Sequence, residues 1–335
     1  MSEAKVVIQK FTPRMQGVWG EPLYIEIDTF KGAGVNLVEV QAANDDEYIA
    51  VAKDADAILS HGAGIKVSRK VIASLEKCKI IALPSVGFDS IDVTAATESN
   101  IWVSNTPDVF IEEVADHAMT LILASWRRLL TQDKMVRTDS WVEARPLLNQ
   151  FPRLYGQTLG FISFGNIPKA VCRRAKAFGF HILAHDPYIH ELDILAHDVE
   201  PVADLSELLA RSDFVSAHLP LSKETLHFVA EEHFKKMKST AVFINTGRGN
   251  TVNEDALIKA LQEGEIAFAG LDVFEQEPIN TDNPLLEMEN VILTPHSASA
   301  SSRMPVEARR RAAREVLRVL KGGKPISPVN SISPS

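Results

Sequence analysis

The sequence predicts an α/β protein built of two doubly wound parallel-sheet domains, and three observations carry that expectation. Short apolar runs at Lys5–Ile8, Asn36–Val40, Ala57–Leu59 and Ile80–Leu83 alternate with helical stretches such as Asp45–Ala52 and Ser68–Lys77. Such alternation implies parallel strands joined by right-handed crossovers. The stretch Gly156–Tyr188 then orders an apolar run (Thr158–Phe164), a turn with Gly165, a helix (Ile167–Phe178) closed by Gly179, and a second run (Ile182–Ala184) leading to Asp186. Strand, glycine turn, helix, strand and acid is the order of a dinucleotide-binding βαβ unit, with the acid ~20 residues beyond the turn, where a ribose hydroxyl needs an acceptor. Finally, 335 residues is enough chain for two separate cores.

The glycine fingerprint of that unit is incomplete. G-x-G-x-x-G falls on Ser163-Phe164-Gly165-Asn166-Ile167-Pro168, so only the middle glycine, which lets backbone approach a pyrophosphate, is present. Ser163 carries a Cβ at the tight turn, where a positive φ is expected. Pro168 is compatible with a helix's first turn, so the helix N-terminus can still face a phosphate. A plain βαβ unit is the alternative to a dinucleotide site, and the motif alone does not choose between them.

Composition narrows the class of function. A net charge of −9 argues against nucleic acid as the main partner. No apolar run approaches the length of a membrane span. Met1-Ser2-Glu3-Ala4-Lys5 lacks an apolar signal core, so a cytoplasmic protein is expected. Cys78 and Cys172 are too few for a disulfide framework, have no partners at zinc spacing, and are read as buried thiols. No metal site is expected.

Taken in order, Phe11–Pro22 reads as a loop without an assigned role, and the first block runs to about residue 105. Ser85-Val86-Gly87-Phe88-Asp89 follows a strand, where such sheets bind ligands; a simple turn is the plain alternative. His61 also follows a strand, with a turn residue as its alternative. Val109–Leu130 reads as one long helix with Asp108 at its start. Leu130–Pro152, with Trp141 and Phe151, reads as a protruding arm suited to dimerisation, or to covering its own subunit. The second block adds helices at Ala203–Ser212, Glu231–Met237 and Asp255–Glu263, and strands at Phe214–His218, Ala241–Ile244, Ala267–Asp272 and Val291–Leu293. Arg303–Leu320 reads as a charged amphipathic helix and Pro325–Ser335 as a tail.

Three of these strands are followed by residues suited to one reaction. Arg248 follows Ala241–Ile244, Glu277 follows Ala267–Asp272, and His296 follows Val291–Leu293. A guanidinium clamps a carboxylate with two parallel bonds. An imidazole donates a proton near neutral pH. A carboxylate fixes the imidazole tautomer and favours its charged form. Together they suit reduction of a 2-keto acid. Read singly, Arg248 could be a turn residue in a surface ion pair, Glu277 a solvated loop charge and His296 a hydrogen-bonded core residue. Their joint position on the rim of one sheet favours chemistry.

The sequence resembles the D-isomer-specific 2-hydroxyacid dehydrogenases. The resemblance lies in VGFDSID (86–92), NTPDVFIEEVADHAMTLILA (105–124), GQTLGFISFGNIPKAVCRRAKAFGF (156–180), HLPLSKET (218–225), NTGRGNTVNEDAL (245–257), GLDVFEQEP (270–278) and ILTPHSAS (292–299). NTPDVFIEEVADHA and AKAFGF also resemble the branch containing the C-terminal-binding corepressors. The resemblance implies two flavodoxin/Rossmann-like domains with a cleft between them. The substrate domain, residues 1–105 plus 300–335, would be discontinuous, and the NAD-binding domain, 106–299, inserted, with a dimerisation arm at about 125–152. It implies that Arg248 binds the substrate carboxylate and carbonyl oxygen, that His296 is the acid/base with Glu277 its partner, and that N–H groups at Val86 and Gly87 hold the carboxylate. Asp186 would accept from the adenosine ribose and Asp272 from the nicotinamide carboxamide. Gly165, Asn166, Ile167, His218, Pro220 and Thr246 complete the implied NAD contacts. Ser163, Pro168, Pro84 and the run of small residues Ser297–Ser302 depart from the family pattern. The expected activity is NAD-dependent interconversion of a 2-keto and a D-2-hydroxy acid by a homodimer. The alternative is a dinucleotide-sensing interaction protein with weakened catalysis.

Overall fold

The computed structural model describes residues 3–10, 23–61, 65–150 and 152–332. The loop expected at Phe11–Pro22 lies outside the described residues. The chain divides into two compact units, Met1–Phe110 with Ala300–Ser335, and Ile111–Ser299.

The first unit is a five-stranded parallel sheet. Its strands are β1 Ala4–Gln9, β2 Val35–Val40, β3 Ala57–Leu59, β4 Ile80–Ala82 and β5 Trp102–Ser104, in the order β2-β1-β3-β4-β5. That is the flavodoxin-like doubly wound order. The inner strands read as unbroken apolar runs because both faces are covered: every residue of β3 and β4 is buried. Short helices return the chain between strands, and side chains start several of them. Asn44 accepts from Glu47 N while the Glu47 carboxylate accepts from Ala43 N; Ser68 accepts from Val71 N, and Asp92 from Ala95 N. The run expected over Ser68–Lys77 is helical only over Arg69–Ala73.

Two features of this unit differ from expectation. The segment read as a tail is docked against β5. Val329 N donates to Val103 O, Asn105 N to Ser327 O, and Asn330 Oδ1 accepts from Val103 N at 2.8 Å. One N–H donor and two oxygen acceptors that the proline- and serine-rich composition hides thus cover a sheet edge. The C-terminal helix, Met304–Leu320, is amphipathic as expected, but two of its charged residues, Arg309 and Glu315, are buried. Arg309 is wholly buried and clamps Glu26, on the helix Tyr24–Phe30, with Nε to Oε1 at 2.8 Å and Nη2 to Oε2 at 2.6 Å. His61 Nε2 lies 3.9 Å from Glu26 Oε1. Burial, and then the Arg309 charge, push the His61 pKa down to about 3, so the ring is neutral there.

The second unit is a seven-stranded parallel sheet. Its strands are β6 Thr158–Ile162, β7 His181–His185, β8 Glu200–Pro201, β9 Phe214–Ala217, β10 Val242–Asn245, β11 Phe268–Leu271 and β12 Val291–Leu293. They are ordered β12-β11-β10-β9-β6-β7-β8, the doubly wound order of dinucleotide-binding sheets, which reverses between β6 and β9. One apolar core covers each face. The helix Ile111–Trp126 packs so closely on β11 that a Cβ at Gly270 would lie 3.0 Å from Leu121 Cβ. The single helix expected over Val109–Leu130 ends at Trp126 instead. Arg128 turns the backbone at φ 49° with its guanidinium 4.1 Å from the Phe268 ring centroid, and a separate helix follows over Leu129–Arg137. The apolar period runs through this turn, so the sequence pattern gives no sign of it. In the arm region Trp141 and Val142 are 71% and 78% exposed, and no residue of Leu129–Arg137 is buried. Cys78 and Cys172 are buried free thiols, as expected.

Removing one partner of a buried ion pair strands the other charge, at a typical cost of about 3–5 kcal/mol. Arg309→Met is therefore expected to lower the stability of the first unit by that order, read as faster hydrogen exchange at the β1 and β3 amides. Unchanged exchange would mean that Glu26 finds another partner.

Candidate functional site

Parallel strands of the second unit all end at one edge, so the loops leaving β6, β7, β9, β10, β11 and β12 gather there. At the end of β6 the turn is made by Ser163 at φ 73°. A non-glycine residue in that region costs about 1–3 kcal/mol. Local bonds offset it: Ser163 N donates to His185 O at 2.9 Å and Ser163 Oγ to Asp186 Oδ2 at 3.2 Å. Gly165 is the N-cap of the helix Asn166–Ala177, and no side chain caps that end. A Cβ on Gly165 would meet nothing within 4 Å. Packing therefore does not demand glycine here, but a pyrophosphate approaching the N–H groups of Gly165, Asn166 and Ile167 would. Pro168 is buried in the first turn, where its missing N–H costs little.

Asp186 sits at the end of β7. Its Oδ2 accepts from Phe164 N at 2.9 Å and its Oδ1 from Tyr188 N at 2.9 Å, which fixes the carboxylate and leaves lone pairs for another donor. A cavity of about 410 Å³ opens beside it, lined by His185, Pro187, Ile189, His190 and Val202 among others. A larger cavity, about 590 Å³, lies where β6, β7 and β8 begin, at the other end of the strands. Its cations are already paired, Arg211 with Glu200 and Lys176 with Asp198, so the smaller one is the better candidate.

His218 and Thr246 stand at the ends of β9 and β10. Ser216 Oγ lies 2.9 Å from His218 Nε2, and burial pushes the His218 pKa down to about 3. His218 Nδ1 and Thr246 Oγ1 are among several buried side-chain atoms of the described residues that have no hydrogen-bond partner. Buried polar atoms left open side by side in the sheet are what a polar ligand would satisfy. Pro220 is exposed, and its carbonyl accepts from Thr225 Oγ1 at 2.6 Å. With the open turn at Gly165, these atoms fit a dinucleotide.

Arg248, Glu277 and His296 come from the three neighbouring strands β10, β11 and β12. The Arg248 loop is folded on Asn245, whose side chain accepts from Gly247 N and donates to Arg248 O, both at 3.0 Å. The next residue, Gly249, presses on the loop after β11: a Cβ there would lie 2.0 Å from Phe274 C and O. Glu254 and Glu275 pin the same two segments by accepting from each other's backbone N–H, at 3.0 and 2.9 Å. Three residues after Phe274, Glu277 accepts from Phe274 N at 3.2 Å and meets His296 Nδ1 at 2.7 Å. Burial raises the Glu277 carboxyl, but the His296 hydrogen bond and charge, Phe274 N and the Arg248 charge outweigh it and hold the group below the usual carboxylate range. An ionised Glu277 can only accept, so Nδ1 of His296 carries a proton and Nε2 is the free working atom. The His296 side chain is 45% exposed. Its backbone takes φ 51°, with its N–H donating to Asp272 O at 2.8 Å.

Asp272 itself is wholly buried. Its Oδ1 accepts from Thr294 Oγ1 at 2.6 Å and Ser297 N at 2.9 Å, and its Oδ2 from Ala298 N at 2.9 Å. Three donors of its own chain thus hold the carboxylate expected to meet a carboxamide, and Oδ2 keeps a lone pair for that group. His117, from the helix Ile111–Trp126, joins it with Nε2 2.9 Å from Thr294 Oγ1 and 3.5 Å from Asp272 Oδ1. Neither His117 nor Thr294 is marked by any spacing in the sequence. In the first unit, Ser85 Oγ donates to Gly87 O at 2.7 Å and Asn105 Nδ2 to Val86 O at 2.6 Å, so the carbonyls of the loop are held.

Because Gly249 has no room for a side chain, Gly249→Ala must push the Phe274 backbone away. Overpacking of this kind costs about 1–3 kcal/mol, so a lower melting temperature is expected, together with slower turnover as Glu277 shifts from His296. A variant with wild-type melting and turnover would contradict this packing.

The family model described as D-isomer specific 2-hydroxyacid dehydrogenase, NAD binding domain, matches residues 119–298. Glyoxylate reductase of Korarchaeum cryptofilum (strain OPF8) is 44% identical over 279 residues, covering 83% of this chain and 83% of that protein. D-3-phosphoglycerate dehydrogenase of Methanocaldococcus jannaschii is 40% identical over 289 residues, 86% of this chain but 54% of that protein. Among solved structures, the holo form of Rhodotorula graminis D-mandelate dehydrogenase superposes with a TM-score of 0.88 at 26% identity, covering 100% of both chains. The chain belongs to the D-isomer specific 2-hydroxyacid dehydrogenases, and residues 119–298 are its NAD-binding domain.

Proposed function

We propose that the protein reduces a small 2-keto acid of the glyoxylate class to the D-2-hydroxy acid, using NADH. The observation that carries this reading is the Glu277–His296 hydrogen bond beside the Arg248 loop, at the rim where β10, β11 and β12 end. The name of the glyoxylate reductase relative supports a short substrate.

In this reading the bound NADH supplies a hydride to C2 of the acid. Arg248 holds the carboxylate, and N–H groups of Val86 and Gly87 add donors to it. His296 Nε2 gives its proton to the carbonyl oxygen, and Glu277 stabilises the charged ring before transfer. N–H groups of Gly165, Asn166 and Ile167 receive the pyrophosphate, and Asp186 accepts from the adenosine ribose. His218 and Thr246 offer their open buried atoms, and Pro220 lines the same edge. The first unit acts as the substrate domain. The exposed Trp141 and Val142 suit a homodimer built on the arm.

A second reading, a dinucleotide-responsive interaction protein near the corepressor-like branch, is favoured by Ser163 at positive φ where the fingerprint has glycine. Turnover with a panel of 2-keto acids separates the two. NADH oxidation with at least one short acid is expected; binding of NADH without oxidation for every acid supports the second reading.

Positioned proton transfer contributes about 10²–10⁴-fold. His296→Ala is expected to lose a factor of that order in kcat while NADH still quenches protein fluorescence; undiminished turnover would remove His296 from the mechanism. The Asp186 carboxylate repels a ribose 2′-phosphate. Titration should therefore give tighter binding of NADH than of NADPH, and the reverse order would overturn the cofactor preference.

A further inference from the structure

We infer that His117 is a positioning residue for His296, acting through Thr294 and Asp272. This rests on the acid/base role proposed for His296. The loop Thr294–Ala298 has to hold His296 in a left-handed backbone conformation, at φ 51°, which a non-glycine residue adopts only when its surroundings dictate it. Asp272 supplies most of that constraint. Its carboxylate gathers Thr294 Oγ1, Ser297 N and Ala298 N from both sides of His296, and its carbonyl takes the His296 N–H.

Proton counting brings His117 into this set. Thr294 has one hydroxyl proton. Asp272 Oδ1 lies 2.6 Å from Thr294 Oγ1 and Leu271 O lies 3.5 Å away, so the carboxylate takes it. The Thr294 oxygen can then only accept from His117 Nε2, 2.9 Å away. His117 Nε2 therefore carries a proton, and the same nitrogen lies 3.5 Å from Asp272 Oδ1. Each member orients the next: His117 turns the Thr294 hydroxyl, Thr294 and the two N–H groups turn the Asp272 carboxylate, and the carboxylate closes the loop under His296. The anchor is rigid, because His117 projects from a helix whose neighbours Ala115, Ala118 and Met119 are buried. The ring touches no reacting atom in this scheme. It sets where Nε2 of His296 points.

Four proteins test the inference: wild type, His117→Phe, which keeps a flat ring without a donor, His117→Gln, which restores an N–H near the Nε2 position, and Thr294→Val. Small misplacements of a reacting group cost up to about 100-fold. His117→Phe and Thr294→Val are expected to lower kcat for keto acid reduction by about 10–100-fold with NADH affinity unchanged, and His117→Gln to recover most of the loss. The ¹⁵N and ¹H resonances of the His296 ring should move in His117→Phe and return in His117→Gln. Those resonances report the ring position without any assay, so a wild-type protein inactive on every acid would defeat the proposed function and still leave this inference decided by the spectra. Unmoved His296 resonances in a folded His117→Phe would overturn it. So would wild-type kcat with only a lowered melting temperature, or a His117→Gln as slow as His117→Phe. If His117→Phe does not fold, Thr294→Val carries the same readouts.

Discussion

The hydrogen bond between His296 Nδ1 and Glu277 Oε2, 2.7 Å long, is the constraint around which the second unit is arranged. An imidazole that is to hand over a proton needs one nitrogen occupied and the other free, and the bond settles which is which. Holding it takes three loops. Glu277 is kept in place by Phe274 N; the Phe274 backbone is packed against Gly249; and Gly249 belongs to the loop that carries Arg248. The three strands that launch these loops are neighbours, in the order β12-β11-β10, although their sequence positions span about fifty residues. Parallel pairing sends all their ends to the same edge, and in that sense topology makes the constellation.

Two buried carboxylates show different uses of interior polarity. Glu26 is bound by a guanidinium, so charge meets charge, and the pair ties the C-terminal helix of the first unit to the helix Tyr24–Phe30. Asp272 is bound by a hydroxyl and two backbone N–H groups of one loop, so it shapes that loop. The first joins elements distant in sequence. The second fixes the direction of one side chain. Both follow the rule that a buried polar group must have its partners.

Much of this was legible in the sequence, for physical reasons. Strands covered on both faces are continuous apolar runs, so β3, β6, β9 and β12 were read close to their observed bounds. Arg248, Glu277 and His296 stood out because residues after parallel strands share an edge. Ser163 stood out as a residue bearing a Cβ in place of a turn glycine, and its φ of 73° bears that out. The helix Tyr24–Phe30 was not legible: its N-cap, Leu23, sits at φ 65° and offers no capping side chain. The break at Arg128 was hidden by an apolar period that runs on. The docking of Ser327–Asn330 on β5 was hidden by a composition that suggests solvation. His117 and Thr294 lie in stretches that carry the family resemblance, but their part was not legible, since it depends on a contact between residues 177 apart in the chain.

In the proposed reaction, Nε2 of His296 delivers a proton to a 2-keto acid as hydride arrives from NADH. Single-turnover mixing of the protein loaded with NADH against glyoxylate, in H₂O and in D₂O, tests it most directly. Loss of NADH absorbance in a burst that is slower in D₂O is expected, because the proton moves in the same step. A burst of equal speed in both solvents, or no loss of NADH with glyoxylate or any larger 2-keto acid, would contradict it.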